Sequence, residues 1–232
     1  MKTKLRPETT LFMLMSVDGK ISTGDSDALD FDQDLPKIVG VKEGLHQYYD
    51  LEKKTDWVSM NTGRVMAKIG CNDKVFSKKP ISCKFVIIDN KPHLTSAGVE
   101  YLTQWLEHLY LVTTNSKHPA LESKAGNITV IKEDKLSMPN LFEKLYEKYK
   151  IEKITIQSGG TMNAGLIRAG LIDKISLVVA PVIIGGKDTS TLVDGESLHT
   201  LKDLILLKPL KLTEAKKLDD SYLLLQYDVI NG

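Results

Sequence analysis

Short apolar runs that are typical of β-strands alternate with helical patterns along most of this chain. Residues 9–15 (TTLFMLM), 84–89 (KFVIID) and 174–180 (KISLVVA) have the length and the apolar content of buried strands. Residues 95–106 and 140–149 carry apolar side chains at helical spacing. Strands that are joined by helices run parallel to one another. The alternation therefore predicts an α/β fold with a mostly parallel central sheet covered by helices.

The C-terminal part of the sequence has a different pattern. Residues 204–212 and 222–229 are two strand patterns joined by a charged stretch, and they predict a closing antiparallel hairpin. The sequence contains no internal repeat, no low-complexity tract and no recognisable linker. Its 232 residues are enough for one large α/β domain, and we expect a single domain over residues 1–232.

Charge and composition exclude several classes of function. The chain has 31 basic and 30 acidic side chains, so it offers no electrostatic basis for binding nucleic acid or an anionic membrane. No apolar run approaches the roughly 18 residues that a membrane span needs, and the first ten residues lack the apolar segment of a signal peptide. Cys71 and Cys83 lack the spacing of a zinc site, and the five histidines are scattered. We therefore expect free thiols, no metal and a cytoplasmic protein.

Polar loops follow four of the predicted strands. In a parallel sheet, ligands bind where the loops leave the carboxyl ends of the strands. One ligand with several phosphate groups is therefore predicted to contact all four loops. These loops are Ser16–Lys20, Asn61–Arg64, Thr113–Lys117 and Ser158–Thr161.

Residues 154–170 (ITIQSGGTMNAGLIRAG) form the most informative of these junctions, a strand followed by two glycines and a helix. Glycines at such a turn let the backbone approach a ligand closely, and the helix N-terminus presents N–H groups to an anion. The pattern predicts a phosphate or diphosphate site. The alternative is that Gly159 and Gly160 only make a tight turn, since neither the G-x-G-x-x-G pattern nor a P-loop is present.

The other three loops also have two interpretations. Arg64 is a good phosphate ligand because its guanidinium group is planar and always charged, but it is equally compatible with a capped helix and a solvent-facing side chain. The polar groups of residues 113–117 can hold a ribose phosphate or can cap the next helix. For the loop at residues 16–20, the residues alone favour a plain connection.

With these motifs in view, the chain resembles the reductase domain at the C-terminus of bifunctional RibD, in the dihydrofolate-reductase-like superfamily. The shorter matching segments are SVDGKI (16–21), the junction at 61–65, FVIID (85–89) and LVTT (111–114). The longest is SGGTMNAGLIRAGLIDKISLVVAPVIIGG (158–186). The resemblance covers nearly the whole chain, and the long segment is its most specific part.

The resemblance implies a three-layer fold with a C-terminal antiparallel hairpin, a homodimer, and NADPH as the cofactor. It implies a cis peptide bond between Gly159 and Gly160. Lys20 and Asp18 are the implied catalytic residues, beside a sugar-phosphate substrate. The implied cofactor-binding residues are Ser16, Asn61, Thr62, Gly63, Arg64, Thr113, Thr114, Asn115, Ser158, Gly159, Gly160, Thr161 and Met162.

The reaction that the resemblance implies is the reduction of 5-amino-6-(5-phosphoribosylamino)uracil in riboflavin biosynthesis, with hydride transfer from nicotinamide C4 to the sugar C1′. The sequence departs from the family pattern at two substrate-side positions, because Ser158 replaces a glutamate and Lys68 replaces an aspartate. Residues 25–51 are an unusual insertion, and the zinc-dependent deaminase half is absent from this sequence. Two alternatives stay open, a reductase of a pterin or folate-like substrate and a non-catalytic nucleotide-binding relative.

Overall fold

The computed structural model describes residues 5–77 and 79–231. Helices and strands alternate along the chain as the sequence predicts. In chain order the elements are β1 (Glu8–Ser16), α1 (Phe31–Asp34), α2 (His46–Glu52), β2 (Val58–Thr62), α3 (Gly63–Lys68), β3 (Ile81–Ile88), α4 (Ser96–Trp105), β4 (Leu106–Thr113), β5 (Ile128–Lys132), α5 (Met138–Glu147), β6 (Lys153–Ile156), α6 (Gly160–Arg168), β7 (Lys174–Ala180), β8 (Leu210–Lys217) and β9 (Leu223–Val229).

These elements form two compact units. Residues 5–7 and 56–158 make up the first unit, and residues 8–55 and 159–231 make up the second. The chain therefore enters the second unit, leaves it, and returns to it between Ser158 and Gly159. The prediction of a single domain is not tested by this division and stays a prediction.

The first unit is built on parallel strands in the order β5-β4-β3-β2-β6. Met60 of β2 pairs with Val86 of β3 on one side and with Ile156 of β6 on the other. All three side chains are buried, as expected for central parallel strands that are covered on both faces. Buried residues of β3, β4 and α4, among them Ile87 and Leu102, form one continuous core.

The second unit combines one parallel pairing with an antiparallel hairpin. β1 pairs with β7 in parallel, and β7 pairs with β9 and β9 with β8 in antiparallel fashion. The predicted hairpin is confirmed, but the boundaries of its first strand were wrong. Residues 201–206 form a 3-10 helix instead, because the Asp203 carboxylate accepts hydrogen bonds from the backbone N–H groups of His199 and Thr200. The charged residues that we expected to form the connection are largely β8.

Residues 25–51 contribute buried side chains, among them Phe31 and Leu35, to the core of the second unit. Residues 36–54 carry apolar side chains at roughly helical spacing, which by itself predicts one helix, but Gly40 has a φ of +87° that is incompatible with a continuous helix. Val41, Leu45 and Tyr48 of this stripe are buried, whereas Ile38 is exposed. Tyr48 stacks on Phe12 of β1, with the ring centroids 5.1 Å apart. This segment therefore covers one face of the second unit's strands.

Tyr222 joins the same segment to the hairpin, and its replacement by phenylalanine is expected to destabilise the protein. The side chain is fully buried, and its hydroxyl donates a 2.7 Å hydrogen bond to the carbonyl oxygen of Val41. Removing the hydroxyl leaves that buried carbonyl group unpaired, at a cost of about 1–3 kcal/mol. Urea denaturation should show this loss for Tyr222→Phe and little change for Tyr227→Phe at a half-buried position of β9. Equal stability of the two variants would contradict the assignment.

Candidate active site

The predicted site residues are divided between the two units. Residues 61–64 and 113–115 lie in the first unit together with Ser158, and residues 16–20 and 159–162 lie in the second. A single ligand that contacts all four loops therefore stays a prediction. Each group has its own geometry.

Asp18 organises the loop after β1. Its carboxylate accepts a 2.6 Å hydrogen bond from the Ser16 hydroxyl and further bonds from the backbone N–H groups of Gly185 and Ile184. These bonds, the one from Ser16 first, lower the pKa of Asp18 to about 2. The side chain is therefore an ionised acceptor at neutral pH and holds two loops of the second unit together.

Lys20 is buried and its ammonium group is largely engaged. Nζ donates to the carbonyl oxygens of Gly186, at 2.6 Å, and of Thr189, at 2.9 Å, and only 8% of the residue is exposed. Its backbone N–H donates to the Ser16 hydroxyl at 2.9 Å. An ammonium group has three N–H donors, so one remains for a ligand.

The two adjacent glycines have different surroundings. A Cβ atom at Gly159 would meet nothing within 4 Å, whereas one at Gly160 would lie 2.3 Å from the Thr191 carbonyl oxygen and 2.4 Å from an Asp194 carboxylate oxygen. Gly160 is thus required for close packing of the 191–194 loop on the first turn of α6. Gly159 borders open space at the N-terminal end of that helix, where Thr161 is exposed.

The cis peptide bond that the family resemblance implied between Gly159 and Gly160 is not present. No cis peptide occurs in residues 5–77 and 79–231. Gly159 has φ −72° and ψ 160°, an extended conformation that serves as the N-cap position of α6 with an ordinary trans bond.

The β2–α3 junction in the first unit is tightly closed by protein atoms. Thr62 is the N-cap of α3, and its hydroxyl accepts a hydrogen bond from the backbone N–H of Val65. A Cβ atom at Gly63 would lie only 2.2–2.6 Å from the carboxyl atoms of Asp89. Arg64 is exposed on the next position. Glycine is therefore required at position 63 so that the end of β3 can approach α3.

Asp89, which directly follows β3, is a site residue that the sequence analysis missed. It is 1% exposed, and its carboxylate accepts hydrogen bonds from the backbone N–H groups of His93 and Leu94 and from both imidazoles, His93 Nδ1 at 2.9 Å and His118 Nε2 at 3.0 Å. Burial raises the pKa of Asp89, but these hydrogen bonds outweigh it and hold the pKa below its ordinary value.

Hydrogen bonds connect the end of β4 to Asp89 and to its neighbour Asn90. The Thr113 hydroxyl donates to the Asp89 carbonyl oxygen at 2.8 Å and accepts from the backbone N–H of Asn115 at 3.1 Å. The backbone N–H of Thr114 donates to the side-chain oxygen of Asn90. The predicted residues 61–64 and 113–115 are therefore brought together around the carboxyl ends of β2, β3 and β4. A polar residue at the end of the strand FVIID, with a histidine four positions later, was the signal for this network.

The described residues contain neither a metal-binding cluster nor a membrane-spanning helix. Across the described ranges, no group of three histidine, cysteine or acidic side chains is arranged to hold a metal ion. Within those same residues, no helix combines the length and the hydropathy that a membrane span requires.

The fold and the site define an α/β protein that presents polar residues at the carboxyl ends of parallel strands, where such proteins bind nucleotides. The chain belongs to the family described as the RibD C-terminal domain, whose model matches residues 7–224. The predicted family is therefore confirmed.

Two curated relatives are similar over most of the chain. The 2,5-diamino-6-ribosylamino-4(3H)-pyrimidinone 5′-phosphate reductase of Methanothermobacter thermautotrophicus is 26% identical over 216 residues, which are 88% of this chain and 91% of the relative. The riboflavin biosynthesis protein RibD of Actinobacillus pleuropneumoniae is 24% identical over 235 residues, or 97% of this chain. The chain spans 58% of the length of that RibD.

Solved structures agree on the fold. RibD of Acinetobacter baumannii superposes with a TM-score of 0.67 at 17% identity, covering 98% of this chain and 59% of that one. The riboflavin biosynthesis reductase of Saccharomyces cerevisiae superposes with a TM-score of 0.61 at 15% identity, covering 99% and 92%. The predicted α/β fold with mostly parallel strands and a C-terminal antiparallel hairpin is confirmed.

Proposed function

We propose that this protein is an NADPH-dependent reductase that converts a ribosylaminopyrimidine 5′-phosphate to its ribityl form in riboflavin biosynthesis. The observation that carries the proposal is the similarity over 88% of this chain to a relative named as a reductase of such a compound. The N-terminal end of α6 supports it, because Gly159 borders open space there and a helix N-terminus presents backbone N–H groups to a phosphate.

The proposed reaction adds one hydride and one proton. Opening of the ribose ring gives an imine at C1′, the hydride goes to C1′, and the proton goes to the neighbouring nitrogen. NADPH supplies the hydride when it is bound, and the protein positions the reactants. Gly159–Met162 would hold the diphosphate at the N-terminus of α6. In the first unit, Asn61–Arg64 are proposed to face phosphate groups, and Thr113–Asn115 are proposed to receive an adenosine ribose.

The substrate can be identified by comparing two pyrimidines. The relatives that match as separate reductases are named for the 2,5-diaminopyrimidinone, whereas the sequence analysis named the deaminated aminouracil. We expect NADPH consumption with the diaminopyrimidinone phosphate to be faster than with the aminouracil phosphate. If a pterin or dihydrofolate is reduced and neither pyrimidine phosphate is, the protein is a reductase of a pterin or folate-like substrate instead. Cofactor binding without any turnover would favour the non-catalytic relative.

Lys20 is proposed to contact the substrate through the N–H donor that Gly186 and Thr189 leave available. Lys20→Ala is expected to lower kcat by about 100-fold, the usual scale for removing one positioned hydrogen-bond donor, while NADPH still binds. Lys187→Ala removes an exposed ammonium group from the neighbouring loop and should leave kcat unchanged. Stopped-flow turnover and fluorescence titration separate the two effects. Unchanged turnover in Lys20→Ala would remove Lys20 from the site.

We also propose that the protein is a cytoplasmic homodimer. An exposed apolar surface of the second unit supports self-association, because Leu201, Ile205 and Leu207 are more than half exposed. Cys71 and Cys83 form no disulfide bond among the described residues, which is consistent with a reducing compartment. Sedimentation at several protein concentrations tests the dimer.

A further inference from the structure

We propose that Asn163 is a positioning residue that fixes the Lys20 side chain through residues 186–194. The proposal rests on the proposed function, in which Lys20 contacts the substrate, and it gives Asn163 a role that acts through Lys20. Asn163 was not among the site residues that the sequence predicted. All of these residues lie in the second unit.

Residues 186–194 hold the ammonium group of Lys20. Nζ donates to the carbonyl oxygens of Gly186, at 2.6 Å, and of Thr189, at 2.9 Å. Apart from an isolated bridge between Thr191 and Lys20, none of residues 186–194 has regular secondary structure. The carbonyl groups of such a segment stay in place only if other parts of the fold hold its backbone. The position of Nζ therefore depends on what holds residues 186–194.

Asn163 connects this segment to α6. The side chain is fully buried, and Nδ2 donates to the carbonyl oxygen of Leu192 at 2.9 Å. In the first turn of the same helix, the carbonyl oxygen of Gly160 accepts from the backbone N–H of Asp194 at 3.1 Å. A helix positions such groups more precisely than a loop does. An apolar residue at position 163 would remove the donor to the Leu192 carbonyl group.

The segment is hydrogen-bonded in turn to the backbone around Lys20. The Leu192 N–H donates to the carbonyl oxygen of Gly19, and the Ile21 N–H donates to that of Ser190, each at 3.0 Å. The backbone is therefore held on both sides of Lys20. Leu192 is bound to α6 through its carbonyl group and to the loop after β1 through its N–H. Loss of the amide group on α6 should loosen this connection together with the carbonyl groups that hold Nζ.

Hydrogen exchange tests this connection without substrate or cofactor. In Asn163→Ala, we expect the amides of residues 19–21 and 190–192 to exchange about tenfold faster, the scale of one lost hydrogen bond. Asn231→Ala is the matched control, because Asn231 Nδ2 donates to the carbonyl oxygen of Ile172 at 2.8 Å in the same unit. It should leave exchange at residues 19–21 unchanged.

Acylation of Lys20, followed by mass spectrometry of its peptide, reports the side chain itself. Only 8% of the residue is exposed in the wild type, so we expect slow labelling there and faster labelling in Asn163→Ala. Thr191→Val loosens the same segment by removing the 2.6 Å hydrogen bond from the Thr191 hydroxyl to the Asp194 carboxylate. It should also speed labelling, and it provides the test if Asn163→Ala is poorly folded. Asn231→Ala should be labelled like the wild type.

Kinetics of the double variant distinguish positioning from a general loss of stability. Asn163→Ala should lower kcat about tenfold through misplacement of Lys20, with little change in NADPH affinity. Asn163→Ala combined with Lys20→Ala should have the same kcat as Lys20→Ala alone, because the positioned group is already absent. Asn231→Ala should keep the wild-type kcat. A further tenfold loss in the double variant would show independent roles and overturn the inference.

Unchanged exchange at residues 19–21 and unchanged labelling of Lys20 in Asn163→Ala would also overturn it. Failure of the proposed function gives a different result. If the wild type reduces neither pyrimidine phosphate, the proposed function fails, whereas faster exchange and faster labelling in Asn163→Ala would still support the positioning of Lys20.

Discussion

Gly159→Ala is expected to weaken NADPH binding by at least about tenfold, or about 1.4 kcal/mol, without changing the Tm. The new methyl group meets no protein atom within 4 Å, and the φ of −72° suits alanine. The fold therefore tolerates the change. The methyl group would instead occupy the open space at the N-terminus of α6, where the diphosphate is proposed to approach the backbone N–H groups.

Gly160→Ala should have the opposite profile, because its Cβ would collide with the 191–194 loop. The distances of 2.3 Å to the Thr191 carbonyl oxygen and 2.4 Å to the Asp194 carboxylate require the loop to move. Such overpacking costs about 1–3 kcal/mol. Gly165→Ala is the control in the same helix, since its Cβ faces open space and alanine is the better helix former.

Thermal melting and fluorescence titration with NADPH distinguish these variants. We predict weak binding with a normal Tm for Gly159→Ala, a lowered Tm for Gly160→Ala, and neither loss for Gly165→Ala. Wild-type affinity in Gly159→Ala would show that the glycines only make a tight turn, which was the alternative interpretation of the sequence.

Asp89→Asn is expected to destabilise the protein by about 3–5 kcal/mol, the usual cost of removing one partner of a buried charged network. The Asp89 carboxylate accepts from two backbone N–H groups and from the imidazoles of His93 and His118. An amide group has only one acceptor oxygen, so it cannot accept all of these bonds. Its NH2 group would also face the N–H donors that the second carboxylate oxygen now accepts from. Urea denaturation measures the loss. Asp73→Asn, at an exposed position of the first unit, should leave the stability unchanged.

Because the Asp89 carboxylate is ionised in the folded protein, the free energy of unfolding is expected to depend on pH. The pKa of Asp89 is lower in the folded protein than its ordinary value of 3.8. Its contribution to the free energy of unfolding is therefore complete above that ordinary value and is lost as the pH falls from there through the lower folded-state pKa. Wild-type protein should lose stability on acidification more steeply than Asp89→Asn does. Parallel pH profiles for the two proteins would contradict the ionised state of Asp89.

Local patterns were sufficient to predict most of the fold. Residues 174–180 were predicted as a strand and form β7 with the same bounds, because a short apolar run that is halted by Pro181 has few alternatives. The strand before Gly159 and the helix after it were predicted from the change in hydrophobic period. The 3-10 helix at residues 201–206 was missed because a side-chain carboxylate, not hydrophobic spacing, stabilises it.

The candidate site was predicted less completely, because its organisation depends on contacts between distant residues. Asp89 and His118 are 29 positions apart, and no local pattern connects them. The buried environment of Lys20 likewise depends on carbonyl groups more than 160 positions away. The sequence predicted polar residues close to the carboxyl ends of these strands, with boundaries that differ by one or two residues from those of β2 and β3. The hydrogen-bond partners that position each side chain became visible only in the folded protein.

Oxidation of NADPH by the purified protein, in the presence of the 2,5-diaminopyrimidinone ribosyl phosphate, tests the proposed function most directly. We predict that NADPH is consumed and that one ribityl product forms for each NADPH oxidised, with much slower consumption when NADH replaces NADPH. A saturating concentration of NADPH that gives neither oxidation nor ribityl product, with this substrate or with its deaminated form, would contradict it.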